Sequence, residues 1–217
     1  MSTTATAEVE EPLSVLGRLR RIRHSNRYIF ITMLISSCIS LTASFVLSVD
    51  ALALAKDPAA ALSCNINSVI SCGKVGASWQ ASLFGFPNAY LGLIAEPVVL
   101  TIAVASLGGV VFPRWFMFSA QIVYTFGLFF AYWLFTQSMF VIHALCPWCL
   151  LVTVSTTTVF TSMTHVNIRD GNLFLPRRVN DALRRFIDSD LDIVVLTIWL
   201  LLIALAIVLR YGSLLFS

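Results

Sequence analysis

Long apolar stretches separated by short polar ones set the pattern of this chain. The first covers about Tyr28 to Val49 and a second about Asn88 to Val111. From Trp115 to Ile168 the sequence has no Asp, Glu, Lys or Arg over 54 residues. That is more than twice the roughly 20 residues one membrane-crossing helix needs, so the run must fold back on itself. Two spans fit, about Trp115 to Thr136 and Pro147 to His165, joined by a short loop from Gln137 to Leu145. A last apolar stretch runs from Ile193 to Leu209. The expected fold class is an all-α polytopic membrane protein with five transmembrane helices.

The polar interruptions have their own character. Residues 1–27 form an expected basic tail, 50–87 an outer loop, and 166–192 a second polar loop. Within the outer loop, Ala77 to Phe86 mixes Trp79, Leu83, Phe84 and Phe86 with Ser78, Gln80 and Ser82, suiting a short helix at the membrane surface. Val179, Leu183, Phe186 and Ile187 fall on one helical face and predict an interfacial helix in the second loop. Composition agrees: 58% of residues are hydrophobic and 12% charged, against roughly 25% charged in soluble domains. The apolar run after Arg27 is about as long as a bilayer is thick, so it reads as a retained span and not as a cleaved signal.

Charge supplies orientation. Five arginines lie in the tail (Arg18, Arg20, Arg21, Arg23, Arg27), one in the turn at Arg114, and five in the second loop (Arg169, Arg177, Arg178, Arg184, Arg185). Only Lys56, Lys74 and Arg210 lie opposite. The positive-inside rule then puts the N-terminus in the cytoplasm and the C-terminus outside a cell membrane. The same rule accounts for the net charge of +3 without nucleic acid as a partner. Cys64, Cys72, Cys146 and Cys149 all come to the outer face, where disulfides persist.

The candidate chemistry lies in these cysteines. In Cys146-Pro147-Trp148-Cys149 the proline suits the first position of a helix, making Cys146 its N-cap and Cys149 its third residue. Cysteines three apart on a helix come within bridging range, roughly 5–6 Å between Cα atoms. The positive helix end favours the thiolate. A structural metal half-site or an inert buried pair would give the same spacing. Cys64 and Cys72 sit among Asn65, Asn67, Ser68, Ser71 and Gly73, polar enough for a loop that swings. Two pairs on one face suggest a relay through mixed disulfides, with a static loop disulfide as the competing reading. Cys38, alone in the first span, is expected in the core.

These features together resemble the bacterial homologues of vitamin K epoxide reductase. The resemblance rests on Cys64-x7-Cys72, on Ser78, on the segment Phe84-Gly85-Phe86-Pro87-Asn88-Ala89-Tyr90-Leu91-Gly92, and on Cys146-Pro147-Trp148-Cys149. It covers about residues 28–165. It implies a four-helix transmembrane bundle around a quinone (menaquinone or ubiquinone), with the fifth helix of residues 193–217 outside it. It further implies that Cys149 reduces the quinone, that Cys72 exchanges with Cys146, and that Cys64 exchanges with a soluble DsbA-like thioredoxin-fold protein. Many bacterial members carry a fused thioredoxin-like domain; none follows the last span in this sequence, so the partner is expected in trans. Where vertebrate members carry a tyrosine four residues after the motif, this chain has Thr153.

Weaker candidates remain. Asn88 either donates to a quinone carbonyl, as the resemblance implies, or caps the second helix. Ser78 either assists chemistry near Cys72 or is a surface hydroxyl. Glu96, before Pro97 inside the second span, is either a functional candidate because it is ionisable there or, equally, a protonated carboxyl hydrogen-bonded to a neighbouring helix. His143, three before Cys146, either carries protons or stabilises a thiolate, or, as preferred, is a surface histidine on a short loop. A DsbB-type quinone reductase performs the same reaction with the cysteine pairs in the opposite chain order. A thiol-electron transporter would need cysteines at the bilayer centre, and a four-cysteine zinc site would make the protein structural; no metal is expected.

Overall fold

The computed structural model describes residues 22–67 and 69–215. Most of the expected basic tail, with Arg18, Arg20 and Arg21, and Ser68 of the outer loop lie outside the described residues. Among the described residues seven helices follow in order: α1 (Asn26–Lys56), α2 (Cys72–Gly76), α3 (Ala89–Leu107), α4 (Arg114–Gln137), α5 (Pro147–Arg169), α6 (Arg177–Asp188) and α7 (Leu191–Leu215). Five are long and apolar enough to cross a membrane: α1, α3, α4 with the π turn that extends it to Ile142, α5 and α7. No β-strand occurs among the described residues; the nearest thing is one isolated parallel bridge, Ile70 to Leu145.

The bundle is inside-out by the standard of a soluble protein. α1 buries Ser36, Ser37, Ser40, Ser44 and Ser48, while Ile31, Ile35, Ile39 and Phe45 are exposed. Lipid is as apolar as leucine, so small residues that let helices approach closely occupy the interior. Gly92 shows how close: a Cβ there would stand 2.1 Å from Ser44 Oγ. α1 packs along both α3 and α5, and α4 packs on α5. The shared apolar core includes Met33 of α1, Ile102 of α3, Met117 of α4 and Met163 of α5. It lies at the end of the bundle away from the motif cysteines. α7 is peripheral, with none of its apolar window buried.

Several expectations need correction. α1 does not end near Val49 but continues to Lys56, because Ala51-Leu52-Ala53-Leu54-Ala55 are strong helix formers and Asp50 alone does not stop them. The surface helix expected over Ala77–Phe86 is a single 3₁₀ turn, Trp79–Ser82, with Gly85 at φ +81° ending any continuation. The loop expected from Gln137 opens instead with a π turn, Ser138–Ile142, closed by His143 at φ 56°. Cys38 is exposed on the outer face of α1, since Ser37 and Ser40 already take the inward one. The helix expected in the second polar loop is α6, of which Ile187 is buried while Val179 and Phe186 are exposed.

α7 is held at both ends. At its start, Asp192 bonds Arg23 and accepts from His165 Nδ1 at 2.8 Å. Farther along, Trp199 donates to the Tyr132 hydroxyl at 2.7 Å, and the buried Tyr211 hydroxyl donates to the Met139 carbonyl at 2.8 Å. The second anchor reaches the turn that leads into the cysteine motif.

Candidate active site

Cys146 caps α5 in an extended conformation, with Pro147 in the first turn. The proline needs no acceptor there, and its fixed φ starts the helix. The amide of Cys149 donates to Cys146 Sγ at 3.4 Å. The Cys149 side chain first, and after it the Cys149 and Trp148 amides, hold the Cys146 thiol below the ordinary cysteine range, against the opposing effect of burial. Cys146 is thereby the more readily ionised sulfur of an N-terminal thiol pair.

The outer loop is built around this cap. The Leu145 amide donates to the Val69 carbonyl at 2.7 Å, and the Ser71 amide donates to the Leu145 carbonyl at 3.0 Å. Asn65 Oδ1 accepts from the Gly73 amide at 2.9 Å and from Ser71 Oγ at 3.1 Å. Asn67 Oδ1 accepts from the amides of Val69 and Ile70. Ser71 Oγ caps α2 by accepting from the Lys74 amide. Asn65, Asn67, Ser71 and Gly73, which suggested a swinging loop, are therefore its framework, a role that composition does not distinguish from mobility.

This framework brings distant sulfurs together. Cys72 Sγ lies 3.3 Å from Cys146 Sγ, 74 residues away in sequence. Cys64 and Cys72 are joined by a disulfide with Cα atoms 5.6 Å apart, while Cys146 and Cys149 are free thiols. The oxidised loop pair thus touches the reduced motif pair through one sulfur of each. Asp50, not singled out from the sequence, has a carboxylate oxygen 3.7 Å from Cys64 Sγ. The donor atoms of Asp50, Cys64 and Cys72 fall within 4.8 Å of one another, but sulfurs joined in a disulfide offer a metal no thiolate.

Beside the sulfurs lies a cavity of about 1210 Å³. Cys72, Cys146 and Cys149 line it at one end, and Leu91, Val98, Val123 and Phe130 line its apolar walls. α3 packs mainly on α1 and α4 mainly on α5, so the cavity has a flank between α3 and α4. Asn88 and Ser78 also line it. Asn88 stands at the N-cap of α3 but makes no capping bond. Its Nδ2 donates to the Gln80 carbonyl at 2.6 Å and its Oδ1 accepts from the Leu83 amide, so it braces the 3₁₀ turn and keeps a second amide proton. Ser78 donates to the Val75 carbonyl at 2.6 Å and not to a cysteine. Thr153, buried, donates to the Cys149 carbonyl. His143 is exposed, outside the cavity lining. Gln80, buried and bonded to Gln137, is a lining residue with no sequence signal.

The sequence profile of the vitamin K epoxide reductase family matches residues 31–164. The chain belongs to this family. No curated protein matches it. As a vitamin K epoxide reductase family member it is a multi-pass membrane thiol oxidoreductase. The family is quinone-dependent in general and generally works with thioredoxin-fold partners. The matched region runs from α1 into α5 and so contains both cysteine pairs and the cavity; α6 and α7 fall outside it.

Proposed function

We propose that the protein reoxidises a soluble DsbA-like thioredoxin-fold oxidase outside the cell membrane and passes the electrons to a membrane quinone, menaquinone or ubiquinone. The first four spans with the outer loop are the catalytic unit, residues 166–192 are a cytoplasmic loop, and residues 193–217 carry a peripheral fifth helix. The observation that carries this reading is the 3.3 Å approach of Cys72 to Cys146 at the head of the cavity.

The steps balance as two-electron exchanges. The reduced partner attacks Cys64, giving a mixed disulfide, and its second thiol resolves it, leaving Cys64 and Cys72 as thiols. Cys72 then attacks Cys146 when Cys146 and Cys149 are oxidised, and Cys64 resolves that bridge, which returns the loop disulfide and leaves both motif cysteines reduced. This is the distribution of bonds observed. The low-lying Cys146 thiol suits it as the exchanging sulfur. Cys149, farther along α5 and facing the cavity, is the thiol that acts on the quinone.

The lining fits such a headgroup. It offers the Cys149 thiol, the second Asn88 amide proton and, deeper, a buried Glu96 carboxyl oxygen that has no hydrogen-bond partner among the described residues. Around these polar points the walls are apolar, as an isoprenoid tail requires. Ser78, bonded to the Val75 carbonyl, shapes the headgroup end, and Asn88 both braces it and offers its second amide proton. A thiol-electron transporter finds no comparable support, because Cys38 faces outward from α1. The test is anaerobic reduction of the purified protein followed by a short-chain quinone. Quinol should form in wild type and not in Cys149→Ser; quinol formation in that variant would reject the role given to Cys149.

A further inference from the structure

Deep in the cavity, the relay leaves one ionisable group unused. Glu96 of α3 is 3% exposed and lines the cavity wall. The Tyr124 hydroxyl of α4 donates to its Oε1 at 3.1 Å, while its Oε2 is buried without a partner. The Ser40 hydroxyl of α1 is buried close enough to act on the same carboxyl but stands outside hydrogen-bonding geometry with it. No cation pairs with Glu96 among the described residues. A carboxyl kept only for packing would have both oxygens satisfied, since an unpaired buried oxygen is costly. Ionisable groups inside membrane proteins commonly serve proton relays.

Its depth matters as much as its chemistry. Tyr124 also interacts with Thr156 of α5, which lines the cavity seven residues beyond Cys149. Seven residues of helix rise roughly 10 Å, enough to place one ring between the Cys149 sulfur and the Glu96–Tyr124 pair.

We propose that Glu96, held by Tyr124, delivers a proton to the inner carbonyl oxygen of the quinone, the oxygen farther from Cys149. The inference rests on the quinone reading above. As the Cys146–Cys149 disulfide forms, the two thiols lose two electrons and two protons; a quinone becoming quinol takes up two of each. One thiol proton reaches the near oxygen. Glu96 supplies the other at the far oxygen and regains a proton from the one the second thiol releases, so the sum closes without another reactant.

The test uses the full-length protein with Glu96→Gln, Glu96→Asp and Tyr124→Phe, and a short-chain ubiquinone or menaquinone analogue. Single-turnover quinol formation should fall roughly 10²-fold in Glu96→Gln, partly recover in Glu96→Asp, and fall less in Tyr124→Phe. Quinone binding, read by quenching of tryptophan fluorescence, should be retained in Glu96→Gln, whose amide can still donate a hydrogen bond to the same oxygen but cannot give up a proton to it. Infrared difference spectra on reaction with the quinone should show a carboxyl band in wild type that Glu96→Gln lacks. A wild-type rate and pH profile in Glu96→Gln, or loss of rate only in step with loss of binding, overturns the inference while leaving quinone reduction standing. If Glu96→Gln does not fold, an unchanged rate and pH profile in Tyr124→Phe overturns it. A wild-type protein that forms no quinol rejects the quinone reading and this inference with it.

Discussion

The Ser71 amide donates to the Leu145 carbonyl at 3.0 Å, and each of these residues immediately precedes a redox cysteine. One backbone hydrogen bond, backed by that from Leu145 to Val69, therefore sets the separation of Cys72 and Cys146. Thiol–disulfide exchange needs close approach of sulfurs, so the relay depends on this short pairing more than on any side chain near it.

Asn65→Ala should loosen the pairing without touching a sulfur. It removes the acceptor for the Gly73 amide and for Ser71 Oγ, a loss on the order of 1 kcal/mol. The loop should exchange backbone amides faster around Ser71, and electron transfer from loop to motif should slow severalfold while direct reduction of the motif pair by a small dithiol is unchanged. Equal amide exchange in variant and wild type would show that Asn65 does not hold the loop.

Cys64→Ala tests the order of the relay. It deletes the sulfur that resolves a Cys72–Cys146 bridge from the loop side, and the two remaining sulfurs start 3.3 Å apart. The Cys72–Cys146 peptide should accumulate and be found by mass spectrometry of non-reduced digests, with Cys149 left as a thiol. Normal turnover of the protein partner without that cross-link would make the loop cysteines a static staple.

The Cys146 thiol sits below the ordinary cysteine range, mainly through the Cys149 side chain. A lowered value means the thiolate persists to lower pH than in a free cysteine, whose pKa is about 8.5. Thiolate absorbance of the reduced protein minus that of Cys146→Ala should titrate with a midpoint below the free value. Cys149→Ala should move the midpoint upward. A midpoint at or above that of free cysteine would remove the electrostatic reason for choosing Cys146 as the exchanging sulfur.

Asp192→Asn should release the start of α7. Asp192 is bonded to Arg23 and to His165, both largely buried. Arg23 keeps Asp190, so the cost should be about 2 kcal/mol, less than orphaning a buried ion outright. Thermal melting in detergent should drop, while quinone reduction by the motif cysteines is retained because α7 contributes no residue to the cavity. An unchanged melting temperature would mean the clamp adds nothing.

Membrane-impermeant thiol labelling after reduction should reach the outer end of the bundle and leave a tag in the 170–190 loop protected. The reverse pattern would invert the orientation inferred from the arginines.

What the sequence by itself determined is governed by local or one-dimensional physics. Apolar length sets the number of spans, and the parity of crossings then brings Cys64, Cys72, Cys146 and Cys149 to one end. Pro147 after Cys146 sets the start of α5 because only the first turn tolerates a missing amide. Even there, helix ends drifted: α1 gained two turns because a single charge at Asp50 does not outweigh an Ala/Leu run.

Only the tertiary structure decided which faces meet. In a soluble helix the apolar stripe would have marked the inside, but in lipid the serines of α1 turn inward and Cys38 turns out. The meeting of Cys72 with Cys146 was named through resemblance alone; its physical cause is a backbone pairing between segments more than 70 residues apart, which no local pattern encodes. The same holds for the pairing of Tyr124 with Glu96: Glu96 stood out as an ionisable residue inside a span, but nothing in the sequence marked Tyr124 as its partner. Their hydrogen bond exists because α3 and α4 face one cavity from opposite sides, and that is a property of packing, not of either helix.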